Sequence, residues 1–182
     1  MNTATPKLQL GFAVWVTGLP ASGKSSLAAA LARTLSSKGV NVAVLESDAL
    51  RRIFTPHPHY DEEEREVFYG AIAYVGRLLT EHGVSVVFDA TANRRAYRDR
   101  ARMRIPRFME VYVQTPLAVC IDRDPKGIYR KGREGAAATV PGLQAVYEPP
   151  YHPEVVVKGD QEAVEIGAER IVARLTELEY LK

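Results

Sequence analysis

Short runs of apolar residues alternate along this chain with longer segments in which apolar residues recur every three or four positions. Four or five consecutive apolar residues are typical of a strand buried on both faces, and the longer spacing is typical of an amphipathic helix. The predicted strands cover residues 12–16, 42–45, 84–88, 109–113 and 155–157. Their alternation with helical segments predicts an α/β fold, a three-layer sandwich of a mostly parallel five-stranded sheet with helices on both faces.

Two of the predicted helices carry clear apolar stripes. One stripe comprises Val67, Ala71, Tyr74, Val75, Leu78, Leu79 and His82, and Gly83 is the predicted stop. The other, in the last helix, comprises Val164, Ala168, Ile171, Val172, Leu175 and Leu178. A stripe of this kind is expected to face the core.

A complete G-x-x-x-x-G-K-[ST] phosphate-binding loop (P-loop) follows the first predicted strand. Leucines at helical spacing come directly after it, so the loop has the strand–loop–helix context that phosphate binding needs. We expect Lys24 to reach the β- and γ-phosphate oxygens and the Ser25 hydroxyl to take one Mg²⁺ position. The predicted nucleotide-binding residues are Gly18, Leu19, Pro20, Ala21, Ser22, Gly23, Lys24 and Ser25.

Length and composition narrow the function further. The chain has 182 residues, 46% of them apolar and 25% charged, which is ordinary for one globular domain. A formal net charge of +2 is too small to suggest a general nucleic-acid binder. Cys120 is the only cysteine, and no apolar run approaches the length of a membrane span. We therefore expect a single cytoplasmic domain over residues 1–182, with a loose tail at 1–9, that acts on small molecules and not on nucleic acid or membranes.

Charged residues follow the second and third predicted strands, where open α/β sheets bind their ligands. Asp48 is predicted to accept the proton of an acceptor hydroxyl, and Arg51 to hold an acceptor anion. Asp89 is predicted to bind Mg²⁺, directly or through water. The alternative for either aspartate is a helix cap or, for Asp89, a structural hydrogen bond to the loop.

Two basic segments complete the candidate site. The first is an arginine cluster, and within it Arg95 and Arg98 are predicted to bind an anionic acceptor, the alternative being a solvated helix face. The second, residues 124–150, is predicted to be a mobile lid whose cations approach the phosphates, the alternative being a basic surface loop. The cluster comprises Arg94, Arg95, Arg98, Arg100, Arg102, Arg104 and Arg107.

Several strings of residues resemble the adenylylsulfate kinase (APS kinase) family of P-loop kinases. They are Gly-Leu-Pro-Ala-Ser-Gly-Lys-Ser-Ser at 18–26, the stretch 109–129 with its Arg-Asp-Pro-Lys-Gly-Ile-Tyr, and the turns at 141–143 and 147–150. The likeness runs from about residue 12 to the end. It implies a P-loop kinase fold with a lid, and transfer of the γ-phosphoryl of MgATP to the 3′-hydroxyl of adenosine 5′-phosphosulfate.

The resemblance also implies a role for individual residues. Lys24, Asp48 and Lys126 would be catalytic, with Asp48 near the acceptor hydroxyl and Lys126 as the lid lysine. Ser26 would join the nucleotide-binding loop, and Arg123 would lie along the ATP base. The implied adenylylsulfate-binding residues are Asp48, Arg51, Tyr60, Arg65, Arg95, Arg98 and Lys126, with Tyr60 packing on the acceptor adenine. A homodimer is left open.

Departures from the family pattern cluster on the acceptor side. They fall at residues 46–49, 65–68 and 91–94, and Val140 stands where a lid phenylalanine would be the second ring around the acceptor adenine. Loss of that ring is expected to weaken acceptor binding, since stacking is worth about 1–3 kcal/mol per base. Two other hypotheses therefore stay open: a P-loop kinase for another hydroxyl, such as that of a sugar, an antibiotic or a polynucleotide 5′ end, and a regulatory module that binds nucleotide without catalysis.

Overall fold

Five parallel strands form the middle layer of the computed structural model, which describes residues 9–137 and 139–181. They are β1 (Ala13–Thr17), β2 (Val42–Glu46), β3 (Ser85–Asp89), β4 (Phe108–Gln114) and β5 (Val155–Lys158), in the order β2-β3-β1-β4-β5. Every predicted strand is present, with bounds shifted by no more than one residue at either end. The prediction of a parallel five-stranded sheet is confirmed.

Helices cover both faces of this sheet. They are α1 (Lys24–Ser37), α2 (Ser47–Phe54), α3 (Glu62–Glu81), α4 (Arg95–Arg104), α5 (Leu117–Arg123), α6 (Ile128–Arg133) and α7 (Val164–Glu177). The α1 and α7 helices pack with the side chains of Val14 and Val16 on one face. On the other face, under α3 and α4, Trp15 stacks on Phe88 with ring centroids 4.4 Å apart. The three predicted layers are therefore present.

The apolar stripe predicted for α3 is wrong. Val67, Tyr74 and Leu78 are exposed by 66%, 55% and 45%. The buried face instead comprises Arg65, Phe68, Tyr69, Ile72, Ala73, Gly76 and Thr80. The apolar pattern did not reveal this face because several of its residues are small or polar. One of them is Gly76, where a Cβ would lie 2.1 Å from the Phe88 ring, so only glycine allows this helix to approach β3. In α7, the predicted Ala168, Ile171 and Leu175 are buried as expected.

The predicted lid is more regular than expected, since α6 lies within it and Pro141 bridges Ala145. Residues 55–59, between α2 and α3, form an irregular loop. Of the predicted N-terminal tail, residues 1–8 lie outside the described residues. Within residues 9–137 and 139–181, none of the helices combines the length and apolar character needed to cross a membrane.

Candidate active site

The P-loop connects β1 to α1 and is shaped by residues with positive φ. Gly18 has φ +155°, Ala21 φ +59°, and Gly23, the N-cap of α1, φ +104°. A Cβ at Gly18 would lie 2.6 Å from the carbonyl oxygen of Val113, so this glycine lets the loop pass close over β4. Ser25 and Ser26 lie exposed in the first turn of α1. The loop therefore opens onto a helix N-terminus, where backbone N–H groups attract anions.

The backbone of the P-loop contacts three residues that the sequence did not single out. Thr115, just after β4, donates its hydroxyl to the carbonyl oxygen of Ser22 at 2.9 Å. Tyr129 of α6 donates to the carbonyl oxygen of Pro20 at 3.0 Å. At Gly159 a Cβ would lie 2.4 Å from the same Ser22 oxygen. The loop is thus fixed by β4, the lid and the segment after β5, and only the fold brings these residues together.

Lys24 lies under the P-loop with its charge directed at the loop backbone. Its Nζ donates to the carbonyl oxygen of Leu19 at 2.7 Å, and the residue is 8% exposed. Burial lowers the pKa of Lys24, and the carboxylates of Asp89 and Asp48 oppose that shift. Asp89 ends β3 and is paired in register with Val16 of β1. The buried Lys24 and the Asp89 carboxylate therefore both lie near the P-loop.

The lid reaches the acceptor side through one ion pair. Lys126 Nζ lies 2.6 Å from Asp48 Oδ2, and the two side chains are 59% and 64% exposed. The hydrogen bond to Asp48 raises the pKa of Lys126. The electrostatic environment of Lys24 includes both residues. The structure therefore joins Asp48 of α2 directly to Lys126 of the lid, and the charges of both act on Lys24 of α1.

Arg51 is buried in a pocket of aromatic and acidic groups. It forms an ion pair of 2.5 Å with Glu64, which the sequence did not single out. Its guanidinium carbon lies 4.0 Å from the Phe68 ring centroid and 4.9 Å from that of Tyr60. Glu64 Oε2 also accepts the backbone N–H of His59 at 2.6 Å. Glu64 thus holds both the arginine and the loop that carries Tyr60.

Arg65 spans the acceptor side and the lid. Its Nε donates to the carbonyl oxygen of Tyr60 at 2.9 Å, and its Nη2 to that of Thr139 at 2.7 Å. Its Nη1 donates to Asn93 Oδ1. Arg51, Tyr60 and Arg65 therefore lie close together, and their role in binding adenylylsulfate stays a prediction.

Arg98 and Arg95 both contact the end of the lid. Arg98 is 1% exposed, and its Nε lies 2.5 Å from Glu110 Oε1. Its other two nitrogens donate to the carbonyl oxygens of Ala92 and Glu148. Arg95 donates to the carbonyl oxygen of Pro149 at 2.9 Å. Both arginines hold the end of the lid against the rest of the chain. The burial of Arg98 among these partners argues against its contact with an acceptor, whereas Arg95 is half-buried and its role in binding an acceptor stays a prediction.

Val140 also differs from expectation. Its side chain is 3% exposed and packs in a small apolar cluster with Cys120 and Tyr129. A side chain directed into that cluster does not face an acceptor. Arg123 ends α5 and is exposed, which leaves it accessible to a nucleotide base.

Known proteins resemble this chain over nearly its whole length. A family model described as adenylylsulphate kinase matches residues 10–158. Adenylyl-sulfate kinase of Microcystis aeruginosa is 39% identical over 173 residues, covering 95% of this chain and 96% of the relative. Probable adenylyl-sulfate kinase of Pyrococcus abyssi is 38% identical, covering 94% and 98%. The structure of Mycobacterium tuberculosis APS kinase in complex with AMPPNP and APS matches with a TM-score of 0.87 at 31% identity, covering 92% and 98%.

Proposed function

Since this chain belongs to the adenylylsulphate kinase family, we propose that it transfers the γ-phosphoryl group of ATP to the 3′-hydroxyl of adenosine 5′-phosphosulfate. The observation that carries the proposal is the meeting of Lys24, Asp48 and Lys126 beside the P-loop. Phosphoryl transfer requires cations at the phosphates and a group that takes the acceptor proton. This arrangement supports both roles, and the contact of Lys126 with Asp48 joins the lid to the acceptor side.

In the proposed reaction the acceptor oxygen forms a bond to the γ-phosphorus, and the bond between that phosphorus and the β–γ bridging oxygen breaks. Asp48 orients the hydroxyl and accepts its proton. Lys24 and Lys126 stabilise the negative charge that spreads over the transferring group. Before this happens, Lys126 exchanges part of its contact with Asp48 for the phosphate oxygens, which its exposed position allows.

Magnesium fits the donor set at the root of the P-loop. The Ser25 hydroxyl and the Asp89 carboxylate are hard oxygen donors of the kind that Mg²⁺ prefers, and both follow strands at the same edge of the sheet. We propose that these two residues hold it, with Asp89 acting directly or through water. Bound Mg²⁺ would neutralise charge on the β- and γ-phosphates.

The acceptor would lie over α2 and the start of α3. Arg51 and Arg65 are the two buried cations there, and Tyr60, which is 44% exposed, offers a ring to the adenine. An acceptor anion at Arg51 has to replace the carboxylate of Glu64, which now occupies that guanidinium. Acceptor binding is therefore proposed to loosen the loop that Glu64 holds.

A kinase for another hydroxyl acceptor is the second candidate. It is favoured by the acceptor side: Arg51 already has a carboxylate partner, and Val140 provides no second ring. A sugar or another uncharged, non-aromatic alcohol would need neither the anion site nor the stacking pair. The lid residues that match the family favour adenylylsulfate instead.

A coupled assay of ADP formation separates the candidates. We expect ADP release with adenylylsulfate and stoichiometric 3′-phosphoadenosine 5′-phosphosulfate, and none with sugars or with a 5′-hydroxyl oligonucleotide. Lys24→Ala is the matched control and should lower turnover by more than about a hundredfold without unfolding the protein, because its Nζ bonds only one backbone carbonyl within the described residues. Turnover of another acceptor alone would support the second candidate. Nucleotide binding without any turnover would indicate a regulatory module.

A further inference from the structure

Asn93 lies between the acceptor side of the site and the chain that returns from the lid. It is 5% exposed, and its Oδ1 accepts from Arg65 Nη1 at 2.7 Å. Its Nδ2 donates to the carbonyl oxygen of Val146 at 2.9 Å, and its own carbonyl oxygen accepts the N–H of Glu148 at 2.7 Å. We propose that Asn93 is a positioning residue that joins Arg65 to the return segment, residues 139–148, so that acceptor binding and lid position are coupled. The proposal rests on the function proposed above.

The backbone around Asn93 fixes the direction of its side chain. Ala92 has φ +40°, a left-handed conformation that turns the chain sharply after β3. The Ala92 N–H donates to the Tyr69 hydroxyl at 3.1 Å, and the carbonyl oxygen of Thr91 accepts from Thr17 Oγ1 at 2.6 Å. This turn is held from both α3 and β1. Asn93 therefore presents its amide to Arg65 and Val146 from a fixed base.

The two partners of Asn93 require an amide. The Arg65 guanidinium can only donate hydrogen bonds, and the Val146 carbonyl oxygen can only accept them. An amide offers one acceptor and one donor group to match. Aspartate would keep the Arg65 contact but would bring a second acceptor against Val146. Leucine, of similar size, would satisfy neither partner. The two substitutions therefore separate the Arg65 contact from the lid contact.

Arg65 makes this connection relevant to the acceptor. Through Tyr60 it contacts the loop beside the proposed adenine site, and through Thr139 it contacts the start of the return segment. Asn93 then holds the other end of that segment, at Val146 and Glu148. A shift of Arg65 when an anion binds would therefore be transmitted to both ends of the return segment.

The test compares wild type with Asn93→Leu, Asn93→Asp and Arg94→Gln. Arg94 is the adjacent residue, half-exposed and paired only with Glu62 in the part of the chain that is described, so its variant is the control. The measurements are kcat, the KM values for ATP and adenylylsulfate, and hydrogen exchange of residues 139–148 without ligand. For Asn93→Leu we expect an adenylylsulfate KM raised about tenfold, the factor that a hydrogen bond to a charged group is worth, with little change for ATP. Exchange of the Glu148 amide should rise in both Asn93 variants, and Asn93→Asp, which keeps the Arg65 contact, should raise the acceptor KM less than Asn93→Leu does.

Several results would overturn the proposal. Equal increases in both KM values for Asn93→Leu would indicate a general packing role, as would faster exchange with an unchanged acceptor KM. Unchanged exchange at Glu148 would show that Asn93 does not hold the return segment. If wild type does not phosphorylate adenylylsulfate, the proposed function fails, but the exchange measurement still decides the link between Asn93 and the return segment.

Discussion

Replacing Arg98 with methionine tests whether the arginine cluster is structural. Arg98 is buried, and its guanidinium donates to Glu110 and to the carbonyl oxygens of Ala92 and Glu148. Methionine keeps much of the volume but removes the charge and every donor. The variant should therefore be less stable, and the fraction that remains folded should bind the acceptor normally.

The expected loss of stability follows from the buried Glu110 carboxylate and the two carbonyl oxygens that would lose their donor. Removing one member of a buried ion pair costs about 3–5 kcal/mol, because the other charge stays buried without its partner. Here Arg102 lies 3.6 Å from the second Glu110 oxygen and offsets part of that cost. The two carbonyl oxygens that lose a donor add to it, at about 1–3 kcal/mol each where water cannot reach them. We therefore expect Arg98→Met to lower the free energy of unfolding by about 3–5 kcal/mol.

Urea unfolding of four proteins measures this loss: wild type, Arg98→Met, Glu110→Met and the double variant. The double variant should be more stable than the sum of the single losses implies, because no buried charge is left unpaired. Arg100→Met is the control, since its ion pair with Glu66 is partly exposed and such pairs are worth about 0–1 kcal/mol. A loss below about 1 kcal/mol for Arg98→Met, together with an acceptor KM raised tenfold or more, would refute the structural role.

Three further results are expected. Burial lowers the pKa of Lys24, so the affinity for ATP should fall as the pH rises through that lowered pKa, at a lower pH than for an exposed lysine. Binding titrations of ATP across the alkaline range measure this fall. An affinity that does not change with pH would contradict the prediction. Gly159→Ala should raise the KM for ATP but not for the acceptor, because its Cβ would displace the Ser22 carbonyl, whereas Gly70→Ala meets only ordinary contacts and serves as control. Val140→Phe should destabilise the protein by about 1–3 kcal/mol, because the larger side chain overpacks the apolar cluster around Val140. Thermal unfolding measures this loss. Unchanged stability together with tighter binding of the acceptor would contradict the prediction.

Local signals in the sequence predicted most of this fold. The strands and the P-loop are each specified within a few neighbouring residues, by an apolar run or by a glycine spacing with a fixed mechanism. The buried face of α3 was missed because Arg65, Gly76 and Thr80 are not apolar, although each packs inward. Glu64 and Asn93 were missed because their partners are distant in sequence or belong to another element.

The arginine cluster shows why charge alone did not predict a site. A run of cations indicates an anion, but that anion can be a carboxylate of the same chain. Here the partners come from three other segments: α3, β4 and the chain that follows the lid. The ion pairs are Arg94 with Glu62, Arg98 with Glu110, Arg100 with Glu66 and Arg102 with Glu154.

These pairs also explain how the lid is anchored. Glu154 accepts both from Arg102 and from the backbone N–H of Glu110, while Glu148 accepts the N–H of Arg95. The end of the lid and the residues after it are therefore held along α4 by Arg102 and by Arg95 and Arg98, the two residues of the cluster that the sequence suggests for the acceptor. The proposed acceptor pocket of Arg51 and Arg65 lies apart from these ion pairs of the arginine cluster. We therefore expect acceptor specificity to depend on that pocket, which includes the departure from the family pattern at residues 65–68.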